Sequence, residues 1–131
     1  MWGGVASGYA SRQATSDEQR AMVTEWLIGR SDPQPGQVVL DLAAGAGTLG
    51  HRVARDVGPD CRVICTDFAP EMVDAARRLG AEHGLDNVEY RVLDAERMDF
   101  DDDSVDVILC RSALMIMADP GAALAESRRV L

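Results

Sequence analysis

A chain of 131 residues, with 47% hydrophobic and 27% charged residues, has the size and composition of one globular domain. The net charge of −9 at pH 7 disfavours nucleic acid and anionic membranes as partners, because phosphate binding needs a positive surface. No apolar run reaches the ~18–20 residues that span a bilayer, and the first residues lack the basic and apolar blocks of a signal peptide. These features predict a cytoplasmic protein, and the use of arginine without lysine favours a bacterial source.

The sequence offers few candidates for redox or metal chemistry. Cys61, Cys65 and Cys110 lie in apolar, strand-like runs without a CxxC pair, so we interpret them as buried reduced thiols. The two histidines, His51 and His83, show no spacing typical of metal ligands, and no metal site is predicted.

Helical and strand-like patterns alternate along the chain. A first helix is predicted to begin at a capping box, Ser16 with Gln19, and to end at Gly29 before the linker 32–36. Its apolar face contains Met22, Val23, Trp26 and Leu27. The later elements are strand 38–42, a helix after a glycine-rich turn, strand 62–66 with Asp67 at its end, a helix opened by Pro70, strands 88–93 and 105–110, and a helix from Asp119 to Leu131. This alternation predicts an α/β fold with a doubly wound, mostly parallel sheet and helices on both faces.

The glycine-rich turn follows the first strand, at the edge of the sheet where ligands bind in this architecture. Gly45, Gly47 and Gly50 match GxGxxG, and Asp67 lies 20 residues beyond Gly47, which by itself is the dinucleotide pattern. Asp41 ends the first strand close to where a pyrophosphate would lie, and its charge opposes phosphate. A ligand with a positive centre and no phosphate is therefore favoured, with an NAD-dependent oxidoreductase as the alternative.

The run from Val39 to Gly47 resembles the first motif of the class I S-adenosylmethionine-dependent methyltransferases, in their small-molecule, ubiquinone-biosynthesis-like branch. Further segments are similar to the family in the same order, namely 63–72, 93–96, 103–108 and 119–131. The resemblance implies a Rossmann-like methyltransferase fold with S-adenosyl-L-methionine as cofactor. This cofactor carries a sulfonium and an ammonium but no phosphate, which agrees with the electrostatic argument.

The resemblance also implies which residues bind the cofactor. Asp67 would receive the two ribose hydroxyls, Asp94 and Ala95 would meet the adenine, and Asp41 would organise the cofactor loop. The complete predicted set is Asp41, Ala43, Gly45, Gly47, Asp67, Phe68, Met72, Asp94, Ala95 and Arg111.

Three alanines depart from the family pattern. Ala43 replaces a frequent glycine and is tolerable only if its backbone angles are ordinary. Ala46 replaces a frequent threonine, and Ala69 replaces a serine that caps the next helix, at a cost of about 1 kcal/mol.

The loop after the fourth strand is where the family builds its acceptor pocket. Arg111 and Ser112 begin this loop as candidate substrate contacts, while the segment 115–117 is predicted to pack. The acidic segment 99–103 lacks the alternating ligands and glycine of a calcium loop and is predicted to be a solvated loop. No general base is identified, and His51 is predicted to face away from the cleft.

The resemblance implies methyl transfer to a small-molecule acceptor by in-line displacement at the sulfonium methyl, with no protein nucleophile. Relatives continue with three further strands, so we expect residues 1–36 to form a cap helix and linker and 37–131 a truncated cofactor-binding core with four of seven strands. Strand 105–110 would then be an exposed apolar edge, which predicts a homodimer or poor expression. A non-catalytic cofactor-binding module is the second alternative.

Overall fold

The computed structural model describes residues 18–131 and divides the chain into a unit ending at Arg30 and a unit from Ser31 to Leu131. The predicted cap at Ser16 lies outside the described residues. Helix α1 covers residues 18–31 and continues through Gly29, contrary to the prediction, because a helical glycine costs only about 1 kcal/mol. The helix ends before Asp32, whose φ of 44° is not helical and which precedes a proline.

The second unit contains alternating strands and helices, as predicted. Its elements are β1 (Val38–Leu42), α2 (Thr48–Val57), β2 (Arg62–Asp67), α3 (Pro70–Glu82), β3 (Val88–Val92), β4 (Val107–Cys110), a 3-10 turn (Leu114–Ile116) and α4 (Pro120–Val130). Strand β4 begins two residues later than predicted, because the backbone N–H groups of Ser104 and Val105 both donate to the carbonyl of Val130. Val105 is therefore bonded to the end of α4, while the N–H of Asp106 already donates to the carbonyl of Val38 at the start of β1.

The four strands form one parallel sheet in the order β3-β2-β1-β4, which confirms the predicted fold class. Leu40 of β1 stands opposite Ile64 of β2 and Ile108 of β4. Because all strands run the same way, their carboxyl ends meet at one edge of the sheet. Strand β4 is the outer strand of the described sheet on the side of β1.

Both faces of the sheet are covered, since successive side chains of a strand point to opposite faces. On one face, Leu40 and Ile64 pack in a buried cluster with Val130 of α4. On the other face, Val63 and Asp41 lie under Gly50 of α2. Cys61 and Cys65 are buried, and all three cysteines are free thiols.

The helices of the second unit have different capping interactions at their ends. Ala69 supplies no side-chain cap to α3, as expected, and its N–H is bound instead by Oδ1 of Asp67 at 3.0 Å. Asp119 caps α4 by accepting from the N–H of Ala122. Gly84, with a φ of 66°, follows the last residues of α3. Within residues 18–131 no helix combines the length and the apolar character needed to cross a bilayer.

Candidate cofactor-binding site

A cavity of about 590 Å³ opens where the carboxyl ends of all four strands meet. Ala43 follows β1, Asp67 ends β2, Asp94 follows β3 and Arg111 follows β4, so each strand delivers a residue to the wall. A cavity of this volume and position is typical of a small-molecule site in an open α/β sheet.

The cavity brings together part of the predicted cofactor set. Its lining includes Ala43, Asp67, Phe68, Asp94, Ala95 and Arg111. Four other predicted residues are absent from the lining, namely Asp41, Gly45, Gly47 and Met72. The contacts that each residue makes with the cofactor stay a prediction.

Asp67 is fixed by the backbone on both sides of its carboxylate. Oδ2 accepts a hydrogen bond of 2.9 Å from the N–H of Gly45, and Oδ1 accepts one of 3.0 Å from the N–H of Ala69. A carboxylate offers about four acceptor positions, so further positions are available to a ligand in the cavity. Asp67 thus ties the glycine-rich turn to the start of α3 and presents a pre-oriented acceptor.

Asp41 lies beneath the turn, contrary to the prediction that its charge would oppose a phosphate in the cleft. It is the fourth residue of β1, only 1% exposed, and its Oδ2 accepts from the N–H of Gly50 at 2.9 Å. Burial raises the pKa of Asp41 to about 7, although the Gly50 N–H and the charge of Arg111 act in the opposite direction. Asp41 therefore secures the first turn of α2 and does not screen ligands by surface charge.

The turn between β1 and α2 contains three left-handed residues. Ala43 has a φ of 52°, so the condition of ordinary backbone angles is not met, and this alanine occupies a conformation that favours glycine. Gly45 and Gly47 have φ values of 57° and 84°. At Gly47 space is also limiting, because an added Cβ would lie 2.8 Å from Nε2 of His51.

The loop after β4 forms an apolar side of the cavity. The prediction that 115–117 packs inside is wrong for Met115 and Ile116, and Ile116 is 80% exposed. The segment 114–116 forms a 3-10 turn of three residues, none of which is buried. Ile116 and Met117 line the cavity beside Arg111 and Ser112.

Three residues near the site were given no supporting role by the sequence analysis, which predicted of His51 only that it faces away from the cleft, and His51 is indeed absent from the cavity lining. His51 of α2 is buried and its Nε2 lies 2.9 Å from the hydroxyl of Tyr90 on β3, with Gly80 of α3 against the same hydroxyl. Their separation in sequence offers no pattern that would have revealed them. Among the described residues, no three His, Cys, Asp or Glu side chains come together as a metal site.

The charges on the cavity wall fit S-adenosylmethionine. Asp67, Asp94 and Glu96 contribute three carboxylates against the single guanidinium of Arg111, which favours a ligand with positive centres. Phe68 adds an aromatic ring that is 74% exposed, available for stacking or covering a ligand. The electrostatic preference for a sulfonium cofactor over a phosphate-containing one therefore comes from the carboxylates on the cavity wall and not from Asp41.

Comparisons with known proteins identify the family. Residues 33–131 match a family described as a methyltransferase domain. Over 107 residues the chain is 35% identical to the ubiquinone/menaquinone biosynthesis C-methyltransferase UbiE of Hahella chejuensis, covering 81% of this chain and 43% of that protein. An arsenite methyltransferase of Halobacterium salinarum is 35% identical over 97 residues, with 74% and 25% of the two chains covered.

A solved structure shows the same fold. The S-adenosylmethionine-dependent methyltransferase of Aquifex aeolicus gives a TM-score of 0.75 at 28% identity, over 82% of this chain and 57% of that one. The chain thus spans less than half of the two relatives above and somewhat more of this structure. The family match over residues 33–131, together with the cavity, shows that the chain belongs to the class I S-adenosylmethionine-dependent methyltransferases, with S-adenosylmethionine as cofactor.

Proposed function

We propose that this chain is the cofactor-binding part of an enzyme that transfers a methyl group from S-adenosylmethionine to a small-molecule acceptor. The carboxylate of Asp67 carries the proposal. It is held on the cavity wall by the N–H groups of Gly45 and Ala69, at the end of β2. A fixed acceptor in this position suits the two hydroxyls of a ribose, because it needs no reorganisation on binding.

Different residues of the wall would bind different parts of the cofactor. Asp67 would orient the ribose, while Asp94 and Ala95, just after β3, would hold the adenine, and Phe68 would cover it. Asp94 is itself positioned, since its Oδ1 accepts from the N–H of Glu96 at 2.9 Å. When bound, S-adenosylmethionine would supply a methyl group on a positively charged sulfur. The acceptor nucleophile would bond to the methyl carbon in line as the carbon–sulfur bond breaks, and S-adenosylhomocysteine would leave. The chain contributes alignment and exclusion of water.

The described cavity wall contains no histidine and no other residue that is evident as a dedicated general base. Neither histidine lines the cavity, and the carboxylates of Asp67, Asp94 and Glu96 each accept a backbone N–H. Acceptors whose nucleophile is already free of its proton need no base at this site. An acceptor that must lose a proton during attack would need one of these carboxylates, which keep further acceptor positions, or a base from outside the described residues.

The acceptor side of the cavity is apolar. Ile116 and Met117 form its wall, and a methionine side chain adapts to varied apolar shapes. Together with the net charge of −9, this favours a neutral or apolar small molecule over nucleic acid or a membrane surface. Arg111 at the same side offers a contact to an oxygen of the acceptor or of the cofactor.

Titration calorimetry with S-adenosylhomocysteine and with NAD tests the proposal. We expect binding of S-adenosylhomocysteine and no binding of NAD, followed by methyl transfer when small-molecule acceptors are supplied. Binding of NAD alone would overturn the assignment in favour of an oxidoreductase. Binding of S-adenosylhomocysteine without transfer to any acceptor of a broad panel would favour a non-catalytic module.

The outer strand β4 carries a second part of the proposal, that two copies of the chain pair through this edge. Strand β4 has the sequence Val-Ile-Leu-Cys and pairs on one side with β1. No strand of residues 18–131 pairs with its other side, and an apolar edge strand is a template for another strand. Sedimentation velocity tests this, since a monomer at all concentrations would contradict it.

A further inference from the structure

A buried polar cluster lies under the glycine-rich turn, outside the cavity. It consists of His51 on α2 and Tyr90 on β3, with Gly80 of α3 closing it on the third side. His51 is 2% exposed, and its Nε2 lies 2.9 Å from the Tyr90 hydroxyl. Three elements that are distant in sequence thus meet at one hydrogen bond.

The upper side of this cluster touches the turn directly. A Cβ added at Gly47 would lie 2.8 Å from Nε2 and 2.9 Å from Cε1 of His51, so the imidazole edge lies against the underside of Gly47. The N–H of His51 also donates to the carbonyl of Gly47 at 2.8 Å. The height of Gly47 above the sheet is therefore set by the position of the ring.

The lower side of the cluster is equally close. A Cβ added at Gly80 would overlap the Tyr90 hydroxyl and would lie 3.3 Å from Nε2 of His51. The absence of a side chain at Gly80 leaves room for this hydroxyl and no more. The contacts Gly80 to Tyr90, Tyr90 to His51 and His51 to Gly47 form a continuous support from α3 to the turn.

The turn transmits its position to the cavity wall. Gly45, two residues before Gly47, donates its N–H to Oδ2 of Asp67 at 2.9 Å. A displaced Gly47 would shift Gly45 and lengthen this bond. The support therefore connects a partly buried hydrogen bond to the carboxylate assigned to the ribose.

The groups that face His51 make a neutral ring the suitable one. Two groups act on His51 itself, namely Arg55 on the same helix and the His83 ring, which is 6.3 Å away after the end of α3. Two more act on Tyr90, namely Arg77 of α3, which lies over its ring, and the Cys65 thiol of β2. Burial lowers the pKa of His51, as do His83 and Arg55. A proton on the His51 ring would place a positive charge on a buried side chain close to the positive charge of Arg55.

We propose that His51 and Tyr90 are positioning residues for the cofactor, a pair that holds the Gly45–Gly47 turn at the height at which Asp67 accepts the ribose. The proposal rests on the use of S-adenosylmethionine. Neither side chain of the pair lines the cavity, and the pair acts only through the turn. A role in folding alone would change stability and leave the affinity of the folded chain unaltered.

The test is the dissociation constant of S-adenosylhomocysteine, measured by calorimetry well below the melting temperature of each variant. Tyr90→Phe removes only the hydroxyl, and we expect about tenfold weaker binding from the lost hydrogen bond and the freed turn. His51→Leu should weaken binding at least as much. His51→Gln keeps a nitrogen able to meet Tyr90 and should recover most of the affinity.

Asn87→Ala is the matched control. The Asn87 side chain donates to the carbonyls of Ala54, Gly58 and Cys61 at the far end of α2, so its loss destabilises the same helix away from the turn. We expect a lower melting temperature with unchanged affinity. Equal affinity in Tyr90→Phe, His51→Leu and the wild type, or losses in all variants that follow melting temperature, would overturn the proposal.

A pH series gives an independent readout. Wild-type affinity should decline as falling pH protonates His51, and this component should be missing in His51→Gln. Identical pH profiles would contradict the proposal. Failure of the wild type to bind S-adenosylhomocysteine would instead refute the cofactor assignment, whereas the ratio of variant to wild-type affinity tests only the positioning role.

Discussion

The two sides of the glycine-rich turn differ in how their side chains are held. On the cavity side, Phe68 and Ile116 are 74% and 80% exposed, and the acids are oriented by backbone N–H groups, two for Asp67 and one for Asp94. On the underside, Asp41 and His51 are 1% and 2% exposed and are enclosed by α2, α3 and the sheet. Ligand contact and loop geometry therefore depend largely on separate residues, and Asp67 is the residue that joins them, because it lines the cavity and holds Gly45.

This separation has an energetic consequence. Close-packed groups beneath the turn cannot be enlarged without strain, whereas the open wall tolerates changes in size. Substitutions beneath the turn should alter stability and binding together, and substitutions of ligand-contacting groups on the wall should alter binding more than stability.

The largest effect is expected from Gly50→Ala, on the underside. The new Cβ would lie 2.5 Å from Sγ of Cys65 and 3.0 Å from Oδ2 of Asp41, both fixed in central strands. We expect a loss of about 3 kcal/mol or more in the free energy of unfolding, measured by urea denaturation. Gly29→Ala is the control, because its Cβ meets nothing within 4 Å in a helix and should stabilise by up to about 1 kcal/mol. Equal stability of the two variants would show that the underside is not close-packed at Gly50.

Asp41→Asn tests the underside of the turn through the pH dependence of the free energy of unfolding. The pKa of about 7 in the folded chain lies above the ordinary 3.8, so between these values the folded state binds a proton that the unfolded state releases. Asp41 therefore makes the chain less stable as pH rises from about 4 to 7, with no further change above. The asparagine variant should gain a few kcal/mol relative to the wild type across this range, in urea denaturation at a series of pH values. Parallel profiles would show that Asp41 ionises normally.

Sequence patterns identified the central strands because buried parallel strands are continuous apolar runs. Val38–Leu42 and Arg62–Asp67 are such runs, and their bounds agree with the structure. The start of β4 was wrong because Val105 is equally apolar, and its N–H bonds to Val130, a contact that a local pattern does not contain.

The candidate site shows the same limit. Asp67 and Asp94 lie at strand ends and line the cavity, as an acidic residue in that position predicts. Asp41 is one residue earlier in its strand, followed by Leu42, and this single position places it under α2 instead. His51 and Tyr90 are 39 residues apart, and only the packing of three elements brings them together.

On the cavity side, Asp67→Ala should weaken binding of S-adenosylhomocysteine by roughly 10- to 100-fold, since hydrogen bonds to a charged group contribute about 1.5–3 kcal/mol. The same change leaves the N–H groups of Gly45 and Ala69 without their partner, so stability should fall modestly. Asp67→Asn retains one acceptor and should show an intermediate affinity by calorimetry. Unchanged affinity in both variants would contradict the assignment of Asp67 to the wall.

Ala43→Gly is expected to have the smallest effect and probes where the two sides join. Ala43 lines the cavity but has a φ of 52°, which costs an alanine roughly 1–2 kcal/mol that glycine does not pay. The greater freedom of glycine in the unfolded chain offsets about 0.4–1 kcal/mol of that gain. We therefore expect an increase of up to about 1 kcal/mol in the free energy of unfolding, by urea denaturation, with affinity for S-adenosylhomocysteine changed less than threefold. A large loss of affinity would mean that the methyl group of Ala43 itself shapes the cavity, and that the turn belongs to the ligand-contacting side as well as to the support.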